Sequence, residues 1–199
     1  QSIPAYDKAL ALIGDKAPEA RWFPLYARGI ALERAGQFPK AEADFRAALK
    51  IRPDSAQVLN YLGYSLVDRN ENLDEALTLI KRAVELRPDD GYILDSLAWA
   101  YFRMGRYPEA VPPMERAVAA MASDSLVNDH MGDIYWMVGR HREAEIQWRR
   151  ALSLKPEKPE DAHRIRIKLE QGLDAVLTQE KANGGKLPPP PAPEPAKAE

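Results

Sequence analysis

No cysteine occurs among the 199 residues. That excludes a disulfide framework, thiolate ligation of zinc or iron–sulfur clusters, and thiol catalysis, and it leaves the redox compartment open. Histidine is scarce too, with His130, His141 and His163 the whole supply. Neither sign of charge dominates: 28 Lys+Arg face 30 Asp+Glu, for a net charge of −2, which argues against a basic nucleic-acid clamp. No apolar run approaches the roughly 18 residues that a membrane span needs. A GxSxG elbow, an HExxH pair, a glycine-rich phosphate loop and a dinucleotide fingerprint are all missing. His130 follows Asp129, but neighbours along a helix point in different directions and no nucleophile accompanies them. The expectation is a chain with no catalysis, cofactor or metal of its own. It starts at Gln1 rather than Met, so an upstream segment is expected, and with it any signal peptide or lipidation site.

What is present is periodic. With 45% hydrophobic and 29% charged residues the chain can bury a continuous core. Small residues recur at Gly29, Gly63, Ala98 and Gly132, at spacings of 34, 35 and 34. Two alanine columns keep the same register, Ala41, Ala76, Ala110, Ala144 and Ala48, Ala83, Ala117, Ala151, and a proline column runs Pro53, Pro88, Pro156 with Ala122 in the third place. The extra residue of the second unit falls at Asn70-Glu71-Asn72, where a polar turn can lengthen without moving a helix. Each unit reads as two amphipathic helices. In the third, Leu94, Leu97 and Tyr101 follow helical spacing, Gly105 ends that helix, and Ala110, Met114 and Ala117 continue in a second. Leu59, Leu62, Leu66 and Ile80 repeat the pattern one unit earlier. No unit can bury its apolar face alone, so the units must stack.

This pattern resembles the tetratricopeptide repeat, a helix–turn–helix of about 34 residues. The resemblance covers Trp22 to Lys158 in four repeats, 22–55, 56–90, 91–124 and 125–158. It implies an all-α, right-handed superhelical solenoid. Arg28 stands where the family has a leucine and Asn128 where it has a large apolar residue, so looser packing is expected at both. Residues 1–21, with Tyr6, Lys8, Ala9, Leu10 and Leu12, read as the second helix of a preceding partial repeat. Ile165, Leu169, Leu173 and Val176 make one stripe of a single capping helix within 159–181, centred on 162–177. From 182 to 199 the prolines and Gly184-Gly185 predict a disordered tail with polyproline character. Pro112 and Pro113 predict that the second helix of the third repeat starts late or kinks.

In this family the first helix of each repeat lines a concave groove that holds a partner peptide or helix. Carried onto this chain, that face is Phe23, Tyr26, Ile30 and Arg34, then Gln57, Asn60, Tyr64 and Asp68. It continues as Tyr92, Asp95, Trp99, Phe102 and Arg103, and ends as Leu126, Asp129, Asp133, Trp136 and Met137. The expected contact residues are Tyr64, Asp68, Tyr92, Asp95, Trp99, Phe102, Arg103, Asp129, Asp133 and Trp136. The rings either anchor a partner or pack against the next repeat. The carboxylates Asp68, Asp95, Asp129 and Asp133 outnumber Arg34 and Arg103, favouring a basic or neutral, apolar-bearing protein or peptide over an acidic one. The clamp by which some members grip a terminal carboxylate lacks its Lys, Arg and Asn residues here.

A narrower resemblance lies in 62–69, 87–99 and 132–140. These stretches are similar to the C-terminal repeats of bacterial envelope tetratricopeptide proteins, among them lipoprotein adaptors of carboxyl-terminal processing proteases. The resemblance implies a periplasmic or outer-membrane-associated adaptor with a protease or envelope complex as partner. The rival expectation is a recruiting domain of a larger enzyme whose catalytic domain lies upstream.

Overall fold

The computed structural model describes residues 2–14, 17–183 and 187. Its helices are α1 (Ser2–Ile13), a 3-10 helix (Pro18–Arg21), α2 (Trp22–Arg34), α3 (Phe38–Ile51), α4 (Ala56–Asp68), α5 (Leu73–Leu86), α6 (Gly91–Arg103), α7 (Tyr107–Ala120), α8 (Ser125–Met137), α9 (His141–Ser153), α10 (Pro159–Gln171) and α11 (Leu173–Ala182). No strand occurs among the described residues. The chain forms two compact units, divided between Arg106 and Tyr107. Most of the region expected to be a proline-rich tail lies outside the described residues.

The turn inside each repeat needs one residue in the left-handed region, and Gly36, Gly105 and Gly139 supply it with φ of 72°, 72° and 81°. In the second repeat the same place is Asn70, φ 56°, and the extra residue is absorbed by a second left-handed asparagine, Asn72, φ 44°. Asparagine tolerates this conformation better than other residues with a Cβ, which is why the insertion leaves both flanking helices intact. Asp90 caps α6 by accepting from the amides of Tyr92 and Ile93, and Asp124 caps α8 by accepting from Leu126 and Val127.

In the first unit α2 packs on α3 and α4 on α5. The small-residue column makes this approach possible: a Cβ on Gly63 would stand 2.6 Å from Cγ1 of Ile80, and one on Gly29 would strike the Phe45 ring. Ala56, Leu59, Ala83 and Ile93 form a buried cluster joined by Leu49, Leu79, Val84 and Leu86, so successive repeats share one core. Arg28 does not loosen the first repeat. Its guanidinium grips buried Asp44 through two bonds of 2.7 Å and reaches Asp7 of α1 at 2.7 Å, tying three helices together where a leucine would tie two.

In the second unit α8 packs on α9, with the fully buried Trp148 ring against Gly132. Asn128 is buried as well, and its Nδ2 donates to the carbonyls of Asp124 at 2.6 Å and Ala122 at 3.3 Å. Its amide nitrogen thus brackets the preceding turn where an apolar side chain would pack, while its Oδ1 is buried without a hydrogen-bond partner. The late start expected of the proline-bearing helix is not found: α7 begins at Tyr107 and runs through Pro112 and Pro113. Pro112 is exposed and Pro113 half-buried, while Ala110, Met114 and Ala117 stay buried, so the packed face is kept although two N–H donors are missing.

The single capping helix is also corrected. Gly172 divides that stretch into α10 and α11, with φ 84° and ψ 163°, a conformation that only glycine adopts without strain.

Candidate partner-binding face

In the first unit, α4 and α6 carry six of the expected contact residues besides Phe102, and the structure gathers several of them around Tyr64. Burial holds the Tyr64 phenol above its ordinary pKa, with Asp95, Asp68 and Glu33 adding to the shift and Arg103 opposing it. On the same side the Ser65 hydroxyl donates to the Glu33 carboxylate, and Tyr61 is pushed up to about 12, mainly by burial and then by Glu33. Asp68 is exposed and Arg103 half-buried, whereas Asp95 is buried. Trp99 and Phe102, expected as exposed anchors, are 9% and 8% exposed and stack on each other with centroids 4.6 Å apart and planes 6° from parallel. Tyr92 is the open ring of this group, 66% exposed at the start of α6.

The second unit treats its face differently. Asp129 and Asp133, expected to meet a partner, are buried under α10. Lys168 Nζ donates to both Asp129 oxygens at 2.7 and 2.8 Å and pairs with Asp133 Oδ1 at 2.6 Å. Arg164 reaches the other Asp133 oxygen at 3.1 Å and Glu180 of α11 at 2.7 Å, and the Trp148 indole donates to Asp133 at 2.9 Å. Burial works against the Asp133 charge, but Lys168 and Arg164 outweigh it and hold that carboxyl below the usual range. Asp129 goes the other way: burial, with Asp133 beside it, raises its pKa despite Lys168. Trp136 is fixed too. Its indole donates to Asp174 at 2.8 Å, it stacks on His141, and it leaves no room for a Cβ at Gly172. These acids are therefore neutralised from within the chain, and the expectation that they attract a basic partner is withdrawn.

Sequence reasoning missed the two cations that do this. The signal was there: Lys168 falls three residues after Ile165, inside the apolar stripe of α10 rather than beside it, and a lysine in such a stripe needs a buried acid.

One column of the repeat remains open. Among the described residues the large exposed apolar side chains are Leu12, Phe23, Tyr92, Leu126 and Ile146, and three of these, at 58%, 66% and 47% exposure, occupy the second position of α2, α6 and α8. The fourth member of that column is Gln57. No group of His, Asp and Glu suited to a metal ion occurs among the described residues, and no helix there is long and apolar enough to cross a membrane.

The tetratricopeptide repeat family model matches residues 26–91 and 68–125. The chain belongs to the tetratricopeptide repeat family. It is 41% identical over 86 residues to the TPR repeat-containing protein PA4667 of Pseudomonas aeruginosa, a match covering 43% of this chain and 15% of that protein. The chain thus spans a small part of that curated relative's length. Among solved structures, a MamA RS-1 double mutant superimposes with a TM-score of 0.65 at 24% identity, over 78% of this chain and 85% of that one. YrrB, described as a tetratricopeptide protein with an unusual peptide-binding site, superimposes with a TM-score of 0.62 at 19% identity, over 87% and 88%. At these identities the likeness is one of fold, the all-α tetratricopeptide solenoid. Tetratricopeptide repeats are protein-interaction scaffolds, and this chain is built as one.

Proposed function

We propose that the chain is a non-catalytic adaptor that holds an apolar-bearing segment of a protein partner against the first helices of its repeats, in a bacterial envelope complex. The observation that carries this reading is the exposure of Phe23 and Tyr92 at the second position of two first helices in the first unit, with Leu126 exposed at the equivalent position in the second. Large apolar side chains left in water at one repeated position are costly unless something covers them, and recognition energy concentrates in such anchors. Asp68 and Arg103 beside the Tyr64 cluster supply a polar rim. With Asp129 and Asp133 neutralised, preference for a basic partner rests on the acids of the first unit alone. The peptide site named for YrrB supports a groove ligand in this fold, and the resemblance of 62–69, 87–99 and 132–140 to envelope adaptors supports a protease or envelope assembly as the setting.

The test is site-specific photo-crosslinking in the full chain. A photoreactive residue at Phe23 or Tyr92 should capture the same protein from the envelope fraction, and one at Leu12 or Ile146 should not. Tyr92→Asp should then weaken binding of the captured protein by about tenfold or more without changing the melting temperature. Equal capture from all four positions, or capture only from Leu12 and Ile146, would refute the reading.

A further inference from the structure

The first helices of the second, third and fourth repeats begin in the same way but are not capped in the same way. Asp90 and Asp124 each turn a carboxylate onto the opening amides of α6 and α8. The equivalent residue before α4 is Ser55, extended at φ −81° and ψ 99°, and its hydroxyl caps nothing. The opening amides of α4 therefore lack the acceptor that its two counterparts carry within the chain.

The surroundings of that helix start form an open cleft of about 480 Å³ in the first unit, lined by Trp22, Arg52, Ser55, Gln57, Arg87 and the apolar edge of Leu86 among others. Two residues of its lining each carry a buried polar atom without a hydrogen-bond partner: Ser55 Oγ, on a residue only 9% exposed, and Trp22 Nε1. A buried donor without an acceptor is costly, and here two of them belong to residues that line one cleft with the start of a helix that is itself short of an acceptor. Two cations flank the same place. The Arg52 guanidinium lies over the Trp22 ring, 4.4 Å from its centroid, and Arg87 makes one long contact of 3.8 Å to Asp90. The acid at the rim, Asp54, is paired with Arg82 at 2.8 Å, so it does not cancel them.

We infer that this cleft is a binding site for a carboxylate carried on a peptide-like ligand, which would sit where Asp90 and Asp124 sit in the following repeats. The α4 amides and Ser55 Oγ donate to it, Trp22 Nε1 gives a further bond, and Arg52 and Arg87 supply positive charge. A carboxylate is the choice because the two capped repeats hold one in the corresponding place. The inference does not rest on the adaptor reading, since none of its argument uses the exposed Phe23, Tyr92 and Leu126 column.

The experiment is an NMR titration of the full chain with acetyl-aspartyl amide, with acetyl-asparaginyl amide and inorganic phosphate run in parallel. The aspartyl probe should shift the amide signals of Ala56, Gln57 and Val58 and the Trp22 indole N–H saturably, and the asparaginyl probe should not. Ser55→Asp, which builds the carboxylate into the chain, should abolish those shifts, and Arg52→Gln should weaken binding by about tenfold while the fold is kept. Absence of saturable shifts, or shifts that survive unchanged in Ser55→Asp, overturns the site. A response to phosphate alone overturns the assignment to a carboxylate. Should Ser55→Asp fail to fold, the Arg52→Gln titration decides, and an unchanged affinity there counts against the inference.

Discussion

Helices α4 and α8 hold the same place in their repeats, yet two shared columns read Asn60 and Tyr64 in one and Asp129 and Asp133 in the other. In α4 these side chains are neutral, and the Tyr64 phenol is kept protonated by burial and by the acids around it. In α8 the same columns carry two buried charges, and α10 brings Lys168 and Arg164 to meet them. A repeat column therefore specifies geometry, not chemistry. What a column can carry depends on what covers it, and among the described residues the last repeat is the one covered by a helix pair that departs from the repeat pattern.

Breaking the α8 arrangement should have the largest effect. Lys168→Met leaves Asp129 and Asp133 buried with one cation fewer, and should cost about 3–5 kcal/mol in thermal or denaturant unfolding. A loss below about 1 kcal/mol would mean that α10 does not hold α8. Next comes the joint that lets α11 fold back. Gly172→Ala places a Cβ against the Trp136 ring at a positive φ, and should cost about 2–3 kcal/mol.

Acid should separate the two α8 carboxylates. The Asp133 carboxyl is held below its ordinary pKa, so its stabilising contribution is present above the unfolded value of about 3.9 and is lost as pH falls through the folded value. Asp129, raised in the folded state, has the opposite sign: its protonation favours the folded form and costs nothing as pH falls. Melting temperature should therefore hold through the range in which Asp129 protonates and drop below about pH 4, and Asp133→Asn should flatten that drop. The smallest effect belongs to the α4 repeat. Asn70→Gly should change stability by no more than about 0.5 kcal/mol, whereas Asn70→Val should cost about 1–2 kcal/mol because valine tolerates a positive φ poorly.

Much of the fold was legible before any coordinate. The alanine and glycine columns located the close helix approaches, as Gly63 against Ile80 and Gly29 against Phe45 bear out, and the asparagine pair located the inserted turn residue. The candidate face was legible only in part. Of the transferred first-helix positions, Phe23, Tyr92 and Leu126 are exposed, whereas Trp99, Phe102, Asp129 and Asp133 are buried. Helical periodicity says which way a side chain points and is silent about whether another helix stands in front of it.

The division follows from range. Residues a few positions apart along the chain determined the helices, their left-handed turns and the 34-residue register, because those depend on local backbone preference and on the spacing of apolar and small side chains. The fates of Arg28, Asp129 and Asp133 depend instead on long-range packing. Each is a polar group at a position the repeat reserves for packing, and whether it weakens or holds the fold depends on a partner: Asp44 for Arg28, Lys168 for the two aspartates. Those partners lie 16 to 39 residues away along the chain, and their pairing becomes favourable only once folding has removed water from between them.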